Sequence, residues 1–201
     1  GAGGLKALNY NYTAAPRDGS VITVAHAEVL FETLLGDNVG FNAKDYKWLG
    51  RMMDADFVGL TSRKSGVKSL EEAKSRQVIV GATGVNSVTA VGPQMFNRFI
   101  GTKFKIVAGY KGTNEIFKAM ETGEADSVAV SWVTASVLHG GKIKSGDLVP
   151  IYAIAGERLT ELPSVPNVTE FGRTPDEKAF VEIYASSALI GRALATPPNV
   201  P

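Results

Sequence analysis

Leu5, Leu8 and Tyr12 fall at i, i+3 and i+7, an apolar stripe along one helical face that Pro16 ends. Asp18-Gly19 is a turn signal, and Val21–Val24 reads as a short buried strand. From Phe31 to Lys44 the pattern loosens around glycines, a helix followed by a loop. Trp48–Met53 and Phe57–Thr61 have strand character, and a polar linker covers Ser62–Lys68. Ser69 with Glu72 has the spacing of a capping box, in which each side chain accepts from the other's backbone N–H. A short helix through Arg76 and a strand at Val78–Val80 should follow.

Beyond Gly81-Ala82-Thr83-Gly84 a helical stripe runs through Val88, Val91, Met95 and Phe99. Pro93 lies inside it and lacks a backbone donor, which predicts a kink or a frayed first turn. Phe104–Val107 is a strand, Ile116, Phe117 and Met120 mark a helix, and Ser127–Ser131 is the next strand. Residues 133–145 form a further helix weakened by Gly140-Gly141, and Val149–Ile154 closes the strand series. Asp176–Ser187 reads as helix and Ala188–Ala195 as an extended return. Strands separated by helices imply βαβ units and a mostly parallel sheet, so the class is α/β.

Composition narrows the function classes. The 201 residues are 44% hydrophobic and 20% charged, with no cysteine, which removes disulfides, zinc–thiolate sites and cysteine nucleophiles together. Basic and acidic residues number 21 and 20, and the basic stretches Arg63–Lys68 and Lys142–Lys144 are short and broken, so no nucleic-acid-binding face is indicated. No apolar run is long enough to span a membrane. Gly1-Ala2-Gly3-Gly4 and Pro197–Pro201 do not resemble natural termini, and the chain reads as a fragment or processed form.

Catalytic signatures are sparse. His26 and His139 lie far apart with no metal-ligand spacing, and Asp54 and Asp56 lack the rest of a calcium loop. Ser87 and Ser131 sit near element junctions, but neither lies in a GxSxG elbow, and no Walker or GxGxxG loop is present. What stands out is three small-residue loops that feed helices: Gly1–Gly4, Gly81–Ser87 and Gly109–Thr113. A helix N-terminus offers unpaired N–H groups and a partial positive charge, and glycine lets an anion approach them. Glycine after a strand is by itself ordinary turn geometry; three such loops in one α/β chain point to an anion pocket at the carboxyl edge of the sheet.

The loops, taken in order, resemble those of the substrate-binding proteins of tripartite tricarboxylate transporters, the Bug/TctC family. Gly1–Gly4 with Pro16-Arg17-Asp18-Gly19 is similar to the family's PGAGG…PDG opening, and Gly81–Ser87 to its G-S-A-G-x-G-S loop, with Asn86 where glycine is common. Tyr110-Lys111-Gly112, Gly123–Asp126, Lys144-Ser145-Gly146, Leu162–Pro166 with Glu170 and Gly172, and Pro197–Pro201 resemble five further motifs in the same order. Val130 stands where many members carry Asp, and Thr89-Ala90 replaces a frequent Pro-His, so the identity of the ligand is not carried over.

The resemblance implies a periplasmic, two-lobed, type II binding-protein clamshell with mostly parallel sheets flanked by helices and one lobe incomplete. Residues 1–61 and 186–201 would be part of lobe one, and residues 62–185 lobe two. Its expected role is capture of a small organic carboxylate for the permease subunits of the transporter, without catalysis or cofactor, nucleic acid or membrane span of its own. The ligand-binding residues implied are Gly3, Gly4, Ala25 and His26 in lobe one. In lobe two they are Thr83, Gly84, Asn86, Ser87, Val88, Tyr110, Lys111, Gly112 and Ser131. Two alternatives stay open: a ligand-sensing module for a signalling partner, and a carboxylate- or ester-processing enzyme using Ser131 or Lys111.

Overall fold

The computed structural model describes residues 4–26 and 39–201. Helix α1, Leu5–Thr13, buries Leu8 and Asn11 and ends where Ala14 N–H donates to Tyr10 O, two residues before Pro16. Strand β1, Thr23–His26, begins two residues later than the apolar run suggests, because its register is set by pairing with a distant strand. The expected helix from Phe31 falls largely outside the described residues. The described part of that stretch is a loop leading to a single 3-10 turn at Ala43–Asp45, capped by Asn42. Strand β2 is Lys47–Arg51. Tyr12, Phe41, Tyr46 and Trp48 form a chain of tilted and edge-on rings with centroids 5.8–6.3 Å apart. The Tyr46 hydroxyl donates to Leu8 O at 2.6 Å, and burial pushes its phenol up to about 12.

Strand β3, Phe57–Ser62, is buried at every position. Helix α2, Leu70–Ser75, is capped by Ser69, whose hydroxyl accepts from Glu72 N–H. The Glu72 carboxylate takes the Lys68 N–H at 2.6 Å, so the expected capping box is displaced by one residue. There follow β4 at Gln77–Ala82, α3 at Val88–Ile100, β5 at Lys103–Ala108, α4 at Thr113–Thr122 and β6 at Ser127–Ser131. Helix α5 at Trp132–Lys144 and strand β7 at Leu148–Ile154 continue the alternation. Helix α3 runs without a break through Pro93; its first turn is tightened, with Ala90 and Val91 N–H both donating to Ser87 O.

These strands form one five-stranded sheet in the order β5-β4-β6-β3-β7. β4 runs parallel to β5 and β6, and β3 runs antiparallel to β6 and β7. Four of the strands therefore share one direction and β3 opposes them, the mostly parallel sheet that the alternation predicts. Helices α3 and α4 pack on the parallel core, and α5 on β6 and β7. Val58, Leu60, Ile116, Val128 and Ala153 are fully buried in the apolar core.

Helix α6 covers Pro175–Ile190, three residues beyond its expected end, and β8 is confined to Arg192–Thr196. Gly191, at φ 62°, makes the break between them. β8 lies between β1 and β2 and is antiparallel to both. The described chain divides into two compact units, Gly1–Ala55 with Leu189–Pro201, and Asp56–Ala188. β3 pairs along its length with β6 and β7 and so lies in the larger unit.

Candidate functional site

In the larger unit, β4, β5 and β6 are neighbours and parallel, so the loops leaving their carboxyl ends emerge on one edge. Each loop leads into a helix: β4 into α3, β5 into α4, and β6 into α5. Gly109 and Tyr110 N–H both donate to Ala82 O, at 3.0 and 3.2 Å, which ties the second loop to the first. The topology thus brings together Thr83, Gly84, Asn86, Ser87, Val88, Tyr110, Lys111, Gly112 and Ser131. Carboxyl ends of parallel strands with helix N-termini behind them are the common ligand edge of α/β sheets.

The first loop is held by hydroxyl groups. Thr83 N–H donates to Thr89 Oγ1 at 3.0 Å, Thr89 Oγ1 lies 2.5 Å from Ser87 Oγ, and Ser87 Oγ donates to Gly84 O at 2.7 Å. Ser87 is the N-cap residue of α3, yet its side chain makes no capping bond. The helix N-terminus is therefore left without a side-chain acceptor, and its partial positive charge stays uncompensated by any acidic residue in the first turn. Asn86 is exposed, Gly84 and Ser87 are half-buried, and the Val88 side chain is buried, which leaves its backbone for contact with a ligand.

The second loop has more acidic company. Gly112 is the N-cap residue of α4 and makes no side-chain cap, while Lys111 N–H donates to Glu115 Oε2 at 2.7 Å. The Tyr110 hydroxyl donates to Glu124 Oε1 at 2.8 Å; burial first, and that carboxylate second, raise its pKa. Beside it an open depression of about 510 Å³ is lined by residues that include Val107, Tyr110, Glu115, Lys118 and Glu124. At the third loop Ser131 caps α5, accepting Thr134 N–H at 3.3 Å and donating to Thr134 Oγ1 at 2.8 Å. Its hydroxyl is thus committed within the helix turn. The Lys111 side chain is exposed. No cluster of three or more metal-ligating side chains occurs among the described residues.

In the smaller unit, Gly3 lies outside the described residues. Gly4 is the N-cap residue of α1 with φ 104°. Ala25 is fully buried against Leu8 and the aromatic cluster, so its side chain belongs to the core, and its backbone pairs with Ala193. The His26 backbone pairs with Arg192 at the end of β1.

Several of the motif residues turn out to serve the fold. Asp126 N–H donates to Ile79 O while its carboxylate accepts Ile79 N–H, both at 2.8 Å, and its carbonyl accepts Ser62 N–H, which joins β4, β6 and β3. Gly146 O and Ser145 O both accept from Arg63. Thr89 holds the first loop although the sequence marks it only as a departure from the usual Pro-His. A hydroxyl residue in the first turn after a glycine loop was the available signal.

Residues 1–199 match the tripartite tricarboxylate transporter family receptor, TctC. The chain belongs to that family. BugD, a periplasmic binding protein, superposes with a TM-score of 0.70 at 17% identity, covering 100% of this chain and 64% of its own. MatC from Rhodopseudomonas palustris, solved with bound malate, gives 0.69 at 19% identity, covering 100% of this chain and 66% of its own. A further R. palustris protein, solved with adipate, gives 0.67 at 14% identity, covering 99% of this chain and 77% of its own. The TctC chain described here thus spans just under two thirds of the length of BugD and MatC, and it shares their fold. No curated protein matches it.

Proposed function

We propose that this TctC-family chain is a periplasmic receptor that captures a small organic carboxylate and hands it to the permease subunits of a tripartite tricarboxylate-type transporter. The observation that carries the reading is the family match over residues 1–199. The geometry agrees with it: the carboxyl edge of β4, β5 and β6 presents the backbone of Gly84–Val88 and Gly112, with two helix N-termini free of side-chain caps. A carboxylate there gains charge-assisted bonds from backbone N–H groups at the helix starts. In this reading the larger unit supplies one wall of the site. The hydroxyl of Ser131 caps a helix and Lys111 is solvated, so binding rather than turnover is the chemistry the loops support.

Isothermal calorimetry with malate, succinate, adipate and citrate tests the proposal. Stoichiometric binding of at least one acid, with no chemical change in the acid recovered afterwards, is the expected result. Binding of none of them, or conversion of one, would overturn it.

A further inference from the structure

We propose that Thr89 is the positioning residue of the carboxylate loop, acting through a one-way chain of hydrogen bonds that spends the Ser87 and Thr89 hydroxyl protons inside the protein. The inference rests on the carboxylate-binding reading and adds to it a residue and a rule of recognition. Thr89 is buried in the first turn of α3, with 4% of its surface exposed. Its oxygen accepts the Thr83 N–H at 3.0 Å. That leaves its own proton for the Ser87 oxygen, 2.5 Å away, because the Ser87 proton goes to the Gly84 carbonyl at 2.7 Å. The direction is fixed at both ends: an amide can only donate and a carbonyl can only accept. With the Ser87 proton on the Gly84 carbonyl, the Thr89 proton is the one that fills the short Ser87–Thr89 contact, and the Thr83–Gly84 step is clamped to the helix behind it.

Two consequences separate this arrangement from a simple serine-to-ligand contact. Ser87 has no proton left to give to an anion, so the loop meets a carboxylate with backbone N–H groups, the Asn86 side chain and the Thr83 hydroxyl, which lies 3.4 Å from Thr89 Oγ1. The orientation of those N–H groups depends on Thr89, which itself is buried and makes its bonds to the loop. Replacing Thr89 by the isosteric valine removes both the acceptor for Thr83 and the donor for Ser87 while keeping the β-branched shape. Serine keeps both.

The test uses the full chain as wild type, Thr89→Val and Thr89→Ser, and reads two quantities. Amide hydrogen exchange reports the clamp without any ligand: Thr83 should exchange at least about tenfold faster in Thr89→Val and near the wild-type rate in Thr89→Ser, with Val78–Val80 unchanged in both. Calorimetry with malate and adipate reports its role: Thr89→Val should bind whichever acid the wild type binds about tenfold more weakly, and Thr89→Ser within about threefold of wild type. Equal Thr83 exchange in wild type and Thr89→Val would overturn the clamp. Faster exchange with undiminished affinity would overturn the positioning role, as would loss of binding in Thr89→Ser. A wild-type chain that shows the clamp but binds none of malate, succinate, adipate and citrate would instead overturn the carboxylate reading on which the role rests.

Discussion

The Asn167 carboxamide pairs with both backbone groups of Ala155: its oxygen accepts Ala155 N–H at 3.1 Å and its nitrogen donates to Ala155 O at 2.9 Å. A side chain thus extends the ladder beyond β7, beside the bond from Ala153 N–H to Pro166 O. Asn167 is fully buried. Asn167→Ala strands a buried donor and a buried acceptor at once, and each costs on the order of 1–3 kcal/mol. Urea denaturation should show a loss of about 2–4 kcal/mol. A loss under about 1 kcal/mol would mean that water replaces the amide without penalty.

Glu170 stands three residues on, with its Oε1 accepting Asn167 N–H and its carboxylate held by Arg158. The Arg158 side chain is the main cause of a lowered Glu170 pKa. A carboxyl depressed in the folded state adds stability that is present above the ordinary glutamate value and lost as pH falls through the folded value. Melting temperature should therefore drop more steeply for wild type than for Glu170→Gln as pH is taken below the ordinary glutamate range. Both groups are partly exposed, so raising the salt should shrink the difference. Parallel pH profiles of the two proteins would contradict this.

Gly81 and Gly84 are three residues apart and respond oppositely to a side chain. A Cβ on Gly81 would lie 2.3 Å from Ile116 Cγ2, where α4 packs on β4, whereas a Cβ on Gly84 would meet nothing within 4 Å. Gly81→Val should destabilise by about 1–3 kcal/mol, as overpacked cores do. Gly84→Val should keep the wild-type melting temperature and lose carboxylate affinity, because only a ligand seated against the loop would meet the added atoms. Calorimetry with malate and adipate on Gly84→Val decides it; unchanged affinity would remove the loop from the site.

Tyr152 is fully buried between Phe96 and Phe104, with ring centroids 4.7 and 6.2 Å away. Its hydroxyl has no hydrogen-bond partner among the described residues, and burial drives its pKa upward. Tyr152→Phe deletes only that oxygen, so stability should stay level or rise by about 1 kcal/mol. Tyr152→Ala should cost about 3–5 kcal/mol through the cavity it opens. A destabilised phenylalanine variant would reveal a buried water on the hydroxyl.

The elements were legible where one face of the chain contrasts with the other. Ser127–Ser131 coincides with β6 because its apolar residues are all buried in the sheet. Val21-Ile22 misleads: Ile22 is 58% exposed, while the less apolar Ala25 sits in the core, because pairing with β8 decided the register. Residues 183–190 mix small and large apolar residues without a clear period, so the end of α6 was hidden until Gly191 turned the chain. At the site, the loop positions were visible as glycines beside helix starts. The direction of the hydroxyl bonds was not, since it depends on how Thr83 and Thr89 meet across a turn. Nor does sequence distinguish a residue kept for a ligand from one kept for a joint, as Asp126 and Asn167 show.

The place of β8 between β1 and β2 also sets how far apart in sequence the partners of that sheet lie. Thr23 pairs with Ala195 and Lys47 with Thr196, so among the described residues both early strands take their ladder from β8. The five-stranded sheet needs nothing outside Asp56–Ala188. Closing the longest loops of the chain is the slowest entropic step, and local pairings precede it. The pairings of Arg192–Thr196 with β1 and β2 thus join distant parts of the chain, and a strand edge deprived of them would be open to pairing with another chain.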